Sequence, residues 1–112
     1  MGKGQLTATI SLGMGLLILG ACRSSQLDPE SCLVDVEANA LTKALQRCNR
    51  VVQANPKDPR PHNDRFLLQT LLQNKEAACQ DIANAAYLLH ASGPNSHKDL
   101  RAEIFVRADS CR

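Results

Sequence analysis

The sequence predicts an all-α fold, a short array of helix–turn–helix hairpins with four to five helices that disulfide bonds hold together. Apolar residues recur at steps of three and four, which is the spacing of amphipathic helices and not of strands. Five cysteines are many for a chain of 112 residues, and they suggest an oxidising compartment, a metal site or a lipid anchor. A chain of this length has room for one small domain.

Three helices form the centre of the predicted domain. Their expected bounds are Leu41 to Ala54, His62 to Gln73 and Glu76 to His90. Three prolines in the turn at residues 55–61 are expected to end the first of these helices and to start the second. Within this turn Asp58 is expected to act as the cap, and Pro59 to stand in the first turn of the helix, where proline is tolerated best.

One shorter helix is expected on each side of this centre. One starts at Pro29 with Asp28 as its cap, and a break at residues 38–40 separates it from the next helix. The last helix runs from His97 to about Asp109, with Ser96 as its cap. Its inner face is expected to consist of Leu100, Ile104, Phe105 and Ala108.

The first 21 residues have the form of a secretory signal, with Lys3 followed by an apolar stretch at residues 6–21 that is short for a membrane-spanning helix. The exit Leu19-Gly20-Ala21-Cys22 resembles the lipobox of bacterial lipoproteins. That resemblance implies that residues 1–21 are removed and that Cys22 receives diacylglycerol. Residues 22–28 then form a polar tether. The lipid anchors the protein on the outer side of the bacterial cytoplasmic membrane, or in the outer membrane facing the periplasm.

Two other interpretations of this N-terminal segment remain. An ordinary cleaved signal would leave Cys22 as a free thiol, whereas assigning Cys22 to lipid leaves four cysteines, an even number. The glycine at position 2 is also found at myristoylation sites, but the apolar stretch and the lipobox do not fit that modification. The folded domain is expected to comprise residues 29–112.

Small residues recur in this domain at a fixed distance. Ala44 and Ala78 are 34 positions apart, and so are Val51 and Ala85. With Pro56, these residues resemble the tetratricopeptide repeat, a helix–turn–helix unit of about 34 residues. The resemblance implies that the small residues lie where antiparallel helices pack closely, and that Pro56 closes a repeat.

The resemblance is best over residues 55–89, one full unit. His62 departs from the family's pattern, because it stands where the family has a bulky aromatic residue. A plain four-helix domain whose helix lengths happen to coincide is the alternative. If the fold is a true repeat, the family also implies a groove that binds a peptide or a helix of another protein.

Four cysteines of the domain are expected to form two disulfides: Cys32, Cys48, Cys79 and Cys111. They contain no Cys-x-x-Cys pair, so neither a zinc site nor a thioredoxin-type redox site is expected. Four cysteines allow three pairings, and sequence alone does not choose between them. The repeat arrangement implies Cys32 with Cys48 and Cys79 with Cys111.

Residues that could perform catalysis are sparse, and no catalytic site, metal site or cofactor is expected. His62, His90 and His97 lie near predicted helix ends, where solvated histidines are common. Asp81 is expected to form a structural ion pair with Arg47 or Arg65. An enzyme is therefore not expected.

Two functions from different classes remain. The net charge of +2 includes Lys3 in the segment expected to be removed, so the rest is near neutral and nucleic acid is not the expected partner. The first function is a lipid-anchored helical module that binds another envelope protein. The second is a disulfide-stabilised structural or secreted envelope protein without a peptide-binding groove. An exposed apolar strip between the helices would favour the first function.

Overall fold

The computed structural model describes residues 27–112, and all regular secondary structure in this part of the chain is helical. The helices are α1 (Leu41–Ala54), α2 (Pro59–Leu71), α3 (Lys75–Ala91) and α4 (Lys98–Asp109), and a short 3-10 helix, Ala38–Ala40, leads into α1. These helices confirm the predicted all-α class. The expected signal, its lipobox and Cys22 lie outside the described residues.

Each helix packs on the next one in the chain, and α2 and α3 share the largest interface. Two apolar clusters result. One joins α1 and α2 to the segment before them, and it consists of Cys32, Ala44, Cys48, Val51 and Leu68. The other joins α2, α3 and α4, and it consists of Phe66, Ala78, Ile82, Ala85, Leu89 and Ile104. Because α2 contributes Leu68 to one cluster and Phe66 to the other, it is the helix that packs in both clusters.

The start of α2 follows from its prolines. Asp58 caps the helix as expected, since its Oδ1 accepts a hydrogen bond from the Arg60 N–H at 2.9 Å. Pro59 is the first helical residue, and Pro61 lies in the same first turn, where a missing N–H breaks no helical bond. The helix therefore begins at Pro59. The start predicted from the sequence was His62, three residues later.

The short helix predicted from Pro29 does not form. Residues 29–35 make turns instead, and the Asp28 Oδ1 accepts a hydrogen bond from the Glu30 N–H at 2.8 Å within the first of them. The guanidinium of Arg47 donates to the carbonyl oxygens of Cys32 and Val34. Those carbonyls thus find a donor on α1 rather than within a helix of their own.

The beginning of α4 also differs from the prediction. The residue that precedes the helix is His97, in a left-handed conformation with φ of 50°, and no side chain caps the helix. Ser96 does not act as a cap, because its hydroxyl donates to the carbonyl of Ser92 at 2.9 Å. Phe105, expected on the inner face, is 51% exposed, while Ile104 beside it is fully buried. Successive helical residues point about 100° apart, so only one of the two can face the core.

Each end of this array contains one disulfide. Cys32 pairs with Cys48 at a Cα–Cα distance of 4.5 Å, and Cys79 pairs with Cys111 at 5.7 Å. The repeat arrangement implied this same pairing. The bridges close loops of 16 and 32 residues. Loops of these lengths correspond to about 3 and 4 kcal/mol of stabilisation in the chain-entropy account.

The five residues that carry the resemblance to the repeat differ in burial. Ala44, Val51, Ala78 and Ala85 are buried, each in one of the two apolar clusters. Pro56 is exposed, in the turn between α1 and α2. Small side chains at the buried positions let neighbouring helices approach closely.

Candidate functional site

The first half of α2 carries four consecutive polar residues, His62, Asn63, Asp64 and Arg65. Because neighbouring residues of a helix point about 100° apart, these side chains reach different partners. His62 and Arg65 contact α3, and Asn63 contacts α4. This polar segment of α2 is the main group of charged residues inside the domain.

Arg65 connects three helices. Its guanidinium donates to both carboxylate oxygens of Asp81 on α3, at 2.7 to 3.0 Å, and to Asn49 Oδ1 on α1 at 3.0 Å. Asp81 is only 3% exposed. A buried carboxylate is stable only when it is paired and hydrogen-bonded, and Arg65 supplies both forms of support.

The structure chooses between the two partners expected for Asp81. It pairs with Arg65, whereas Arg47 is bound to backbone carbonyls near the first disulfide. His62 differs from the prediction, because its Nδ1 lies 3.2 Å from Asp81 Oδ1 and its side chain is 12% exposed. The earlier start of α2 explains this difference. Because the helix begins at Pro59, His62 is its fourth residue and not its first, and its side chain lies against α3.

A second polar group joins α2 to α4. Asn63 is 1% exposed, and its amide donates to Glu103 Oε1 at 2.7 Å while its Oδ1 accepts from Arg107 at 2.8 Å. Glu103 and Arg107 also form an ion pair at 2.7 Å. Sequence reasoning missed this group, although the i,i+4 spacing of Glu103 and Arg107 was a signal for their own pair.

Asp64 lies next to this second group, and among residues 27–112 it is the one with a strongly shifted pKa. Burial raises the pKa of its carboxyl from 3.8 to about 6, and the negative charge of Glu103 adds to the rise. The positive charges of Arg107 and Arg60 oppose it. Asp64 therefore takes up a proton in mildly acidic solution.

These polar groups form contacts between helices. The pair of His62 and Asp81 has the composition of an acid–base pair, but Arg65 also holds the carboxylate and both side chains are largely buried. Within residues 27–112 no cluster of three or more His, Cys, Asp or Glu could hold a metal ion.

A pocket of about 350 Å³ lies where the C-terminal end of α2, the start of α3 and the end of α4 meet. Its accessible lining is mostly apolar. The lining residues are Phe66, Thr70, Gln73, Lys75, Ala78, Cys79, Ser110 and Cys111. We call this site the α2–α3–α4 pocket. The sequence did not predict it, because its residues come from three helix ends that are far apart in the chain.

The described chain begins far from this pocket. The carbonyl of Leu27 accepts a hydrogen bond from Asn55 Nδ2 at 3.0 Å, beside the turn between α1 and α2. The pocket lies at the other end of α2, a helix of 13 residues. Such a helix is about 20 Å long. The point where the chain enters the domain and the pocket are thus separated by about the length of α2.

Comparison of the chain with protein-family models, with curated proteins and with solved structures found no match. Of the helices in residues 27–112, none is both long and apolar enough to cross a membrane.

Proposed function

We propose that this protein is a lipid-anchored helical module of the bacterial cell envelope that binds another envelope protein. The observation that carries the proposal is the α2–α3–α4 pocket, an apolar concavity that opens to the surface between three helix ends. Apolar pockets with a few polar groups at the rim are the usual form of a binding site. Gln73 and Lys75 supply such polar groups here.

The expected anchor and the pocket have compatible positions. If Cys22 carries lipid, the chain from Cys22 to Leu27 can span at most about 18 Å. The turn between α1 and α2, which Leu27 contacts, would then stay near the membrane. Because the pocket lies at the opposite end of α2, it would face away from the bilayer and be accessible to a partner.

The charged residues support binding in preference to catalysis. The polar residues of α2 are bound to each other across helix interfaces, as Arg65 is to Asp81 and Asn63 to Glu103. Groups held in this way stabilise one arrangement of the helices and are poorly placed to meet a substrate. A rigid helical scaffold with a surface pocket is what an interaction module requires.

The packing of each helix on the next one in the chain also supports a tetratricopeptide-like arrangement. The four small positions at the 34-residue offset are all buried, as such hairpins require. In this interpretation residues 55–89 form the complete unit, and α4 covers its exposed side.

One observation favours the alternative function, a structural or secreted envelope protein without a groove. None of the large apolar side chains that are exposed within residues 27–112 lines the α2–α3–α4 pocket; they are Leu33, Val34, Leu71, Tyr87, Phe105 and Val106. Two disulfides in a small domain would also serve resistance to proteases. A partner protein bound in the pocket would distinguish the first function from the second.

The anchor is tested by replacing Cys22 in the full-length protein. Cys22→Ala should block lipidation and signal removal, and leave a longer precursor without lipid. Ser24→Ala, a change in the tether, is the matched control and should mature normally. Normal maturation of the Cys22 variant would exclude the lipoprotein interpretation.

The pocket is tested by photo-crosslinking in intact cells. A photo-reactive side chain replaces Gln73, which lines the pocket, or Gln53, an exposed residue of α1 that serves as the control. We expect an adduct of one defined size from position 73 only. It should disappear in Thr70→Tyr, since the larger side chain fills the pocket. Equal adducts from both positions, or adducts that survive Thr70→Tyr, would contradict binding at this pocket.

A further inference from the structure

The two disulfides differ in how far solvent reaches them. Cys32 and Cys48 have no exposed surface, and the carbonyl oxygen of Pro61 lies 3.6 Å from Cys48 Sγ. Cys79 and Cys111 are both partly exposed, and both line the α2–α3–α4 pocket. A dissolved thiol can therefore approach the second disulfide in the folded domain, whereas the first is closed to it.

The surroundings of the second disulfide also distinguish its two sulfur atoms. Lys75 precedes Cys79 by four residues on α3, so both side chains lie on one side of the helix, and both line the pocket. A nearby ammonium group stabilises a cysteine thiolate. Cys111 instead follows the C-terminus of α4, where free carbonyl groups disfavour negative charge. Glu76, three residues before Cys79, and Arg107, four residues before Cys111, act in the opposite sense. The choice of Cys79 as the leaving group therefore rests on its place near the N-terminus of α3, where a thiolate is stabilised.

We propose that the Cys79–Cys111 disulfide is a thiol–disulfide exchange site, at which a thiol that enters the α2–α3–α4 pocket attacks Cys111 and releases Cys79. The ligand class is a thiol, carried either by a small molecule or by a dithiol protein. The pocket volume of about 350 Å³ is large enough to admit a cysteine side chain with its neighbouring atoms. This inference does not depend on the lipid anchor or on the envelope partner.

The exchange proceeds in two steps. The thiolate of the incoming thiol forms a new S–S bond to Cys111 Sγ, and the bond between Cys111 and Cys79 breaks. Cys79 leaves as a thiolate and takes up a proton. A second thiolate then attacks the incoming sulfur of the mixed disulfide and releases Cys111 as a thiol. Two thiols are oxidised to one disulfide, and the protein disulfide gains two electrons and two protons.

The exchange would mainly weaken the attachment of α4 to the rest of the domain. Among the residues of this helix, only Ile104 is buried, and Leu100 and Ala108 pack partly buried against the same cluster. The helix is also held by the polar contacts of Glu103 and Arg107 and by the disulfide just beyond its end. Opening the disulfide frees the end of α4 that borders the pocket. The first disulfide is unaffected, so α1 and the segment before it stay connected.

The test is timed reduction of the purified protein by glutathione, with new thiols alkylated and located by peptide mapping. We expect Cys79 to be alkylated at least about tenfold faster than Cys32 or Cys48, because only exposed disulfides react without unfolding. The glutathione adduct should lie on Cys111. Equal rates for both disulfides, or adducts on Cys79 or on the first pair, would overturn the proposal.

A second arm separates the two sources of thiol. A thioredoxin-type protein that lacks its resolving cysteine should be trapped as a mixed disulfide with Cys111 if the ligand is a protein dithiol. If only glutathione forms an adduct, the ligand is a small thiol. Lys75→Gln should slow the reduction by about twofold, because Cys79 then becomes a poorer leaving group. Lys98→Gln, on α4 and outside the pocket lining, is the control and should leave the rate unchanged.

Discussion

The Arg65–Asp81 pair offers a direct test of what holds α1, α2 and α3 together. Replacing Arg65 with Met keeps most of the apolar stem but removes three contacts to Asp81 and one to Asn49. The carboxylate of Asp81, 3% exposed, would keep His62 as its partner. Breaking a buried ion pair on one side costs about 3 to 5 kcal/mol, because a charge is left without its counterion.

This loss is large for a domain of this size, since small domains have unfolding free energies of about 5 to 15 kcal/mol. Urea unfolding at neutral pH, followed by far-ultraviolet circular dichroism with the disulfides intact, measures it. The midpoint should fall while the slope with urea stays constant. Arg112→Met is the matched control, because the pair of Arg112 and Asp109 is exposed on both sides. Its cost should be below about 1 kcal/mol.

A double variant distinguishes the unpaired charge from lost packing. Adding Asp81→Leu to Arg65→Met removes the carboxylate and should recover about 1 to 3 kcal/mol. If Arg65→Met costs no more than the Arg112 control, or if the double variant is no more stable than the single one, then the ion pair does not have the role described here.

Two further changes test the core and the shifted carboxyl. Because the pKa of Asp64 is raised from 3.8 to about 6, the folded domain binds this proton more tightly than the unfolded chain, and stability should fall as pH rises through that window. Asp64→Asn should therefore be more stable than the native protein at pH 7, and this difference in unfolding free energy should vanish near pH 4. Urea titrations at several pH values measure it, and a difference that stays constant with pH would contradict the raised pKa. Ala78→Leu should overpack the interface of α3 and destabilise by about 1 to 3 kcal/mol. Ala83→Leu, exposed on the same helix, is its control, and equal thermal midpoints would mean that α3 tolerates bulk at Ala78.

Local patterns predicted the centre of the fold well. The cap at Asp58 and the position of Pro59 depend on neighbours within a few residues, so they could be deduced from the sequence. The apolar stripe of α1 likewise follows from helical spacing, and Ala44, Cys48 and Val51 are buried on it.

The differences arise where distant residues decide the structure. The segment after Pro29 has a helix-like start, but contacts with Arg47 and the bond to Cys48 hold its backbone in turns. The contact of Asn63 with Glu103 joins residues that are 40 positions apart. No local spacing reports such a contact. The α2–α3–α4 pocket is of the same kind, because its shape depends on how three helix ends meet.

The positions of the two disulfides determine how the domain would respond to mechanical tension. A force applied between residue 27 and the C-terminus would pass from Cys32 directly to Cys48, and from Cys79 directly to Cys111. The chain inside each covalent loop would carry no load, so α4, most of α3 and the first half of α1 could not be drawn out. Between the two bridges only residues 49–78 could extend, to a length of at most about 100 Å. Tension would therefore unfold α2 together with the second half of α1 and the first turn of α3, and leave the two looped parts closed.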